Sequence, residues 1–175
     1  MEEQHNNPLG NTVPLHPTSG LVFLSDEQIE NIPSFKTLTN YLVFVSQNGK
    51  LARKSEIDPA KIKKLLPDIF ILDLVREDGE VTDLTIRLMG TGLAQFYGEH
   101  TNKSINRLEN TEAVARIFTS ARKCAEVRKN IAIDVASLSV KKPHLRATGL
   151  YCPLQGNGHQ IEQILGLVVV RSILN

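Results

Sequence analysis

The chain has 175 residues, 41% hydrophobic and 22% charged, enough for one ordinary soluble domain whose core needs neither disulfides nor metals. A formal net charge of +1 excludes a general pull toward nucleic acid or an anionic membrane, so any basic site must be local. Cys124 and Cys152 lack CxxC spacing, no signal-peptide pattern opens the sequence, and no apolar run nears the roughly 20 residues needed to cross a bilayer; a cytoplasmic protein without membrane insertion is expected.

Residues 1–24 hold Asn6, Asn7, Pro8, Gly10, Pro14, Pro17 and Gly20 with little periodic hydrophobicity, which predicts a disordered or loosely docked tail. Ser25 and Gln28 stand at capping-box spacing, so a short helical turn should run to Ile32 before Pro33 interrupts it. A second helix is expected from about Ser34 to Gln47, stopped by Asn48-Gly49. Phe35, Leu38, Leu42 and Val45 form its apolar stripe, worth roughly 6 to 12 kcal/mol on burial before chain entropy is subtracted. Tyr41, Val43 and Phe44 add apolar surface on other sides, which calls for either a second partner or complete burial. Residues 25–48 are therefore an N-terminal helical extension to a main domain over 49–175.

Asp58-Pro59 should open the next helix as N-cap and first helical residue, with Lys61, Lys63 and Lys64 near its end as a solvated face and Pro67 ending it. Ile69 to Val75 and Leu84 to Met89 are strand-like runs around Asp78-Gly79, an antiparallel hairpin. With a three-residue loop from Asp78 to Glu80, Phe70, Leu72 and Leu74 share a face with Leu84, Ile86 and Leu88, and Asp73, Thr85 and Arg87 take the other. Gly90-Thr91-Gly92 then breaks the extended pattern, and Leu93, Phe96 and Tyr97 begin an apolar helical turn. Ile105 and Leu108 anchor the polar stretch that follows.

Asn110 or Thr111 can cap a helix running to about Arg128, whose Val114, Ile117, Phe118, Ala121 and Ala125 keep the helical period. Glu112 at its start and Lys123, Arg128 and Lys129 at its end suit the macrodipole. Three strands should follow, Ile131 to Leu138, Leu145 to Leu154 and Ile164 to Val170, with turns at Lys141-Lys142-Pro143 and Gly156-Asn157-Gly158. The sum is an α+β arrangement: a five-stranded antiparallel sheet with helices packed on one face and the helical extension in front.

The runs LLPDIFILDL and IRLMGTGLAQFYG resemble the PAS sensory domains, and in particular a bacterial single-domain PAS group. LARKSEIDPAKIKKLLP is similar to that group's lead-in and YCPLQGNGHQIEQILG to its closing strands, so the likeness spans roughly Tyr41 to Val170. The lead-in departs from the pattern at Ala52 and Lys54, where Pro and Arg are expected, and near Leu42, where a Trp is expected. The resemblance implies a signalling module whose N-terminal helix packs on the sheet and on its twin, a homodimer through Phe35, Leu38, Tyr41, Leu42, Phe44 and Val45. A haem-binding PAS would carry a His on the long helix, which has none; a flavin-adduct PAS would carry a Cys motif that ARKCAEVRK does not match. No cofactor is thereby identified.

Other chemistry finds little footing. Gly90-Thr91-Gly92 lacks the third glycine of a dinucleotide turn, since Gln95 stands there, and follows a hairpin strand rather than a parallel unit. His5, His16, His100, His144 and His159 have no ligand partners at metal spacing. No Ser-His-Asp, Cys-His or paired-carboxylate arrangement emerges, and Asp73 with Arg87 reads as an exposed ion pair. Cys124 reads as a small buried apolar residue.

What remains is the space between sheet and helices. Phe70, Leu72, Leu88, Phe96, Tyr97, Ile117, Phe118, Ala121, Leu150 and Cys152, with Arg146 and Thr148 as polar points, are the candidate ligand-binding residues. The first expectation is a non-enzymatic sensory module that binds a small apolar or amphipathic ligand there and reports to an unidentified signalling partner through its N-terminal helix, no effector domain being visible. The second is a ligand-free dimeric protein-interaction adaptor with a filled core. The third is a small cavity enzyme, which would need a buried ionisable group of shifted pKa, with Arg146 or His144 nearest in sequence.

Overall fold

A computed structural model describes residues 21–47, 49–135 and 144–173. The tail expected over 1–24 lies outside them up to residue 20, as do the Lys141-Lys142-Pro143 turn and the far end of the strand before it. From residue 21 onward the elements are β1 (Val22–Phe23), α1 (Asp26–Glu30), α2 (Pro33–Ser46), β2 (Ile69–Glu77), β3 (Glu80–Met89), α3 (Thr91–Tyr97), β4 (Lys103–Ser104), α4 (Thr111–Val127), β5 (Ile131–Val135), β6 (Leu145–Gln155) and β7 (Ile161–Ser172).

The strands form one antiparallel sheet in the order β1-β5-β6-β7-β2-β3-β4. Its five long strands are those expected; the two edges are added by two-residue strands, Val22–Phe23 beside Ile133 and Asp134, and Lys103–Ser104 beside Thr85 and Ile86. Strands this short carry no hydrophobic period to read. The fold class is the expected α+β arrangement, with the sheet extended to seven strands and helices on both of its faces rather than one.

The helix signals act as their chemistry dictates. Ser25 and Gln28 make both capping-box bonds, at 3.2 and 2.9 Å. Pro33 sits in the first turn of α2, where its missing N–H costs nothing. Asn110 caps α4 through a bond from the Ala113 N–H, 3.1 Å. Asp58 also caps, accepting from the Ala60 N–H at 2.9 Å, but only a four-residue 3₁₀ turn follows, Pro59–Ile62. Pro67 lies in the first turn of a further 3₁₀ segment, Leu66–Asp68, rather than ending a helix. Ile62 is the one buried residue of the Pro59–Ile62 turn, and a single apolar anchor gives an α-helix nothing to propagate against.

The β2–β3 hairpin corrects the expected loop. Glu77 pairs with Glu80, leaving two loop residues, Asp78 and Gly79, both at positive φ (50° and 86°), the geometry that matches strand twist. A bulge follows between Ile71 and Leu72, whose partners are Leu88 and Ile86, so Arg87 is the extra residue. Below the bulge Leu72, Leu84 and Ile86 are buried as expected; above it Leu88 turns outward, 38% exposed, and Met89 takes the inner position opposite Phe70.

Both faces of the sheet are covered. On the inner face α3, α4 and the Ile105–Arg107 turn pack over Phe70, Leu72, Ile86, Ile133, Tyr151 and Ile164. On the outer face α1 and α2 pack Ile29, Phe35, Leu38 and Leu42 over Ile69, Leu150, Cys152, Leu165 and Leu167. Tyr41 ties α2 to the lead-in, its hydroxyl accepting from the Asp58 N–H at 2.7 Å. Gly90, expected as a structural turn, is held to glycine by close approach: a Cβ there would overlap the carbonyls of Leu66 and Pro67, and its N–H donates to Ile69 O at 2.8 Å.

Candidate functional site

The inward side of α4 is divided. Ile117, Phe118, Ala121, Cys124 and Ala125 give it an apolar surface continuous with the inner core. Along one edge stand Arg116 and Ser120, four residues and so about one helical turn apart. Across from them β6 presents Tyr151, 4% exposed, and α3 presents Phe96 and Tyr97. His100 donates from Nε2 to the Tyr97 carbonyl, 2.9 Å, fixing the end of α3.

Two buried polar atoms in this region have no hydrogen-bond partner among the described residues: Ser120 Oγ and His100 Nδ1. Ser120 is 0% exposed, and its hydroxyl lies beside that of Tyr151, acting on the phenol as a weak hydrogen-bond partner although no well-formed bond joins them. An orphaned buried hydroxyl costs about 1 to 3 kcal/mol, so it is a feature that calls for a reason. The Arg116 side chain is 17% exposed and approaches Glu112 Oε2 at 3.6 Å, a carboxylate that is itself 79% exposed.

The electrostatics follow from burial. Tyr97 and Tyr151 both have pKa values pushed above the ordinary tyrosine value, chiefly by burial, with the Arg116 guanidinium acting against the shift in each. Both phenols are therefore protonated donors at neutral pH. Burial likewise pushes the Cys124 thiol up to about 12 and raises Cys152, which makes neither a nucleophile. The Cys124 thiol instead donates to the carbonyls of Lys129 and Tyr151, both at 3.4 Å.

Of the twelve residues singled out by sequence, seven meet on the inner face: Phe70, Leu72, Phe96, Tyr97, Ile117, Phe118 and Ala121. Five do not. Leu88 is turned outward by the bulge. Leu150 and Cys152 lie under the α2 side of the sheet. By strand alternation Thr148 and Arg146 share that outer face, where Thr148 donates to Asp134 at 2.9 Å, accepts from Arg171 at 2.9 Å, and Arg146 reaches Asp134 at 3.7 Å. The expectation chose the wrong set of alternate residues in β6, because a strand apolar on both faces gives no sign of which side is which. Tyr151, Arg116, Ser120 and His100 were missed. The signal for two of them was present: Arg and Ser one turn apart on a helix whose other inward positions are apolar.

The dimer residues also need correction. Phe35, Leu38 and Leu42 are 0%, 0% and 7% exposed, spent within the chain, and Tyr41 and Val45 pack partly on the same cluster. Val43 and Phe44 stand out at 72% and 81% exposure. Arg146 is a surface side chain, 44% exposed, and with His144 lies at the outer end of β6 rather than in the inner chamber. Asp73 and Arg87 do pair, at 2.6 Å, and Gln163 adds a bond to Asp73 at 2.5 Å.

A concavity of about 680 Å³ lies where the ends of α2 and α4 approach the β6–β7 turn, with Lys50, Arg53, Arg128 and Gln155 in its walls. It is open and polar, and Arg128 is committed to the His159 carbonyl at 2.6 Å. Its walls are more polar than apolar, whereas the sheet face under α4 joins a large apolar surface to a few buried polar groups. Among the described residues no group of three or more His, Cys, Asp and Glu side chains could hold a metal, and no helix is long and apolar enough to cross a membrane.

A family profile described as PAS domain matches residues 31–169. No curated protein matches the chain. Among solved structures it is similar to the PAS domain of a Colwellia psychrerythraea protein (16% identity, 66% of this chain and 98% of that one, TM-score 0.44). It is similar also to an RNA-binding light-oxygen-voltage receptor (9%, 71% and 37%, 0.45) and to the light-state LOV domain of the blue-light photoreceptor Aureochrome1 (13%, 66% and 89%, 0.39).

Proposed function

Because the chain belongs to the PAS domain family and is in general terms a sensory or signalling module, we propose that it binds a small molecule between its sheet and α4 and transmits occupancy to α2. The observation that carries the reading is the fully buried pair of hydroxyls, Ser120 and Tyr151, with the Arg116 guanidinium near enough to act on the phenol, on a side of α4 that is otherwise apolar. A ligand atom there would supply the further partner that each of these hydroxyls can take. Tyr151 and its neighbours Leu150 and Cys152 in β6 supply the route outward: the first faces the chamber, the other two lie in the core under α2. A displacement of β6 by a ligand shifts both at once, since adjacent strand residues are rigidly coupled to opposite faces.

The shifted groups of the chamber are protonated phenols and thiols, which supply hydrogen-bond donors rather than a base at neutral pH, and this favours binding over catalysis. Native mass spectrometry of the gently isolated protein tests the reading. An additional mass of a few hundred daltons, released on denaturation and absent from a Ser120→Leu variant that fills the site, supports it; the same added mass on that variant counts against it.

A second reading, a homodimeric adaptor, draws on the exposed Val43 and Phe44 of α2. It places the partner surface on the solvent side of the same helix that the ligand reading uses for output.

A further inference from the structure

Positive charge is not spread evenly over this chain. Its formal net charge is only +1, yet Lys50, Arg53 and Arg128 meet in the walls of the 680 Å³ concavity, with Glu56 as the one carboxylate beside them. Glu56 is directed elsewhere, its Oε2 accepting from the Arg53 backbone N–H at 2.7 Å. Arg87, Arg116, Arg122, Arg146 and Arg171 pair with carboxylates at 2.6 to 3.8 Å, whereas among the described residues Lys50, Arg53 and Arg128 have no such partner. Helices α2 and α4 both end here, at Ser46 and Val127, and each C-terminus offsets about half a unit of charge within its last turn. The cationic side chains outnumber Glu56 by two, so the recess stays positive.

The backbone holds these groups in place. Gln47 and Arg128, both non-glycine, take positive φ (46° and 54°) at the two helix ends, a strained conformation of the kind that gathers at functional sites. Arg128 spends one N–H on the His159 carbonyl at 2.6 Å, which orients the guanidinium and leaves donors over. Gln155 braces the facing turn through a bond to the Gly158 carbonyl, also 2.6 Å. Leu51 is the one apolar side chain in the wall, so an acyl or aromatic body has little to bury against, while hydroxyl groups meet Gln47, Glu56 and Gln155. A carboxylate brings a single negative charge; a phosphate monoester brings roughly two, with three acceptor oxygens for several donors at once.

We propose that this recess binds a soluble phosphate monoester with a hydroxyl-rich body, a sugar phosphate, whose phosphate is held by Lys50, Arg53 and Arg128. Binding is reversible, with no bond made or broken. The site shares no residue with the Ser120 and Tyr151 surface under α4, so the two stand or fall separately.

Backbone amide NMR of the full chain at constant ionic strength follows Gly49 and Gly158 while ribose 5-phosphate, inorganic phosphate or ribose is added. The native protein is compared with a variant carrying Lys50→Gln and Arg53→Gln, which keeps its fold because both side chains are exposed. The expected result is saturable movement of both signals with ribose 5-phosphate, at least about fivefold weaker binding of inorganic phosphate, and none of ribose. The variant should bind ribose 5-phosphate at least about tenfold more weakly. Equal binding by native chain and variant overturns the proposal, as does the absence of saturable movement with either phosphate. Inorganic phosphate binding as tightly as ribose 5-phosphate overturns the sugar body.

Discussion

Phe70 and Tyr151 both stand opposite Gly166, one from each neighbouring strand, and their rings meet over it edge to face, with centroids 5.3 Å apart and planes at 65°. The absent side chain of Gly166 is what makes room: a Cβ there would overlap the Phe70 ring. The pair lies in the inner core and spans the three strands β6, β7 and β2 across Gly166.

Replacing Gly166 by Ala should therefore displace the Phe70 ring and cost about 1 to 3 kcal/mol, the usual penalty for overfilling a packed core. Urea denaturation measures it. Adding Phe70→Leu should recover part of the loss, and an unperturbed midpoint in the single variant would show that the rings do not depend on the gap.

Ser120→Ala separates stability from binding. In the free protein it removes a buried hydroxyl that makes no well-formed hydrogen bond, so denaturation should show equal or slightly greater stability, up to about 1 kcal/mol. In the same variant the added mass sought by native mass spectrometry should be reduced. Loss of stability greater than about 1 kcal/mol would mean that the hydroxyl already has a partner and the chamber no vacancy for an acceptor.

Alkaline pH should destabilise the fold. Cys124, Tyr97 and Tyr151 are acids whose folded-state pKa values lie above their ordinary values of 9.0, 10.0 and 10.0, so the folded chain holds their protons more tightly than the unfolded one. Their contribution is complete below pH 9 and is lost as pH rises from there toward 12, at up to about 1.4 kcal/mol per pH unit for each group in its window. Unfolding midpoints measured from pH 7 to 11 should fall above 9, and Cys124→Ala should flatten the first part of the fall.

Much of this fold can be read from the amino-acid sequence where a local signal has a local cause. The capping box at Ser25 and Gln28, the cap at Asn110, the Asp78-Gly79 turn and the apolar period of α4 are of this kind. The site was less legible because it depends on which face each strand shows. In β3 the bulge at Arg87 reversed the facing of Leu88, and in β6 burial on both sides hid the alternation, so Leu150 and Cys152 were set where Tyr151 belongs. The stripe of α2 was legible as a buried face, but Phe35 and Leu38 find that burial against their own sheet.

On the outer side of α2 the two faces of the helix should respond differently to substitution. Leu38→Ala creates a cavity in a fully buried position and should cost about 2 to 5 kcal/mol. Val43→Asp with Phe44→Asp should leave the unfolding midpoint within about 0.5 kcal/mol of native, because both side chains are exposed, while shifting sedimentation toward the monomer. A chain that sediments as a monomer before the change would remove the homodimer.

Hydrogen exchange across the whole chain, in protein as isolated and in protein refolded after its bound small molecule has been removed, tests the central claim most directly. The account predicts slowed exchange in α4 over residues 111–127 together with a change in α2 over residues 33–46 on the opposite face of the sheet. Protection confined to residues 46–56 and 155–159, around the polar cleft, with α4 unaltered, would contradict it.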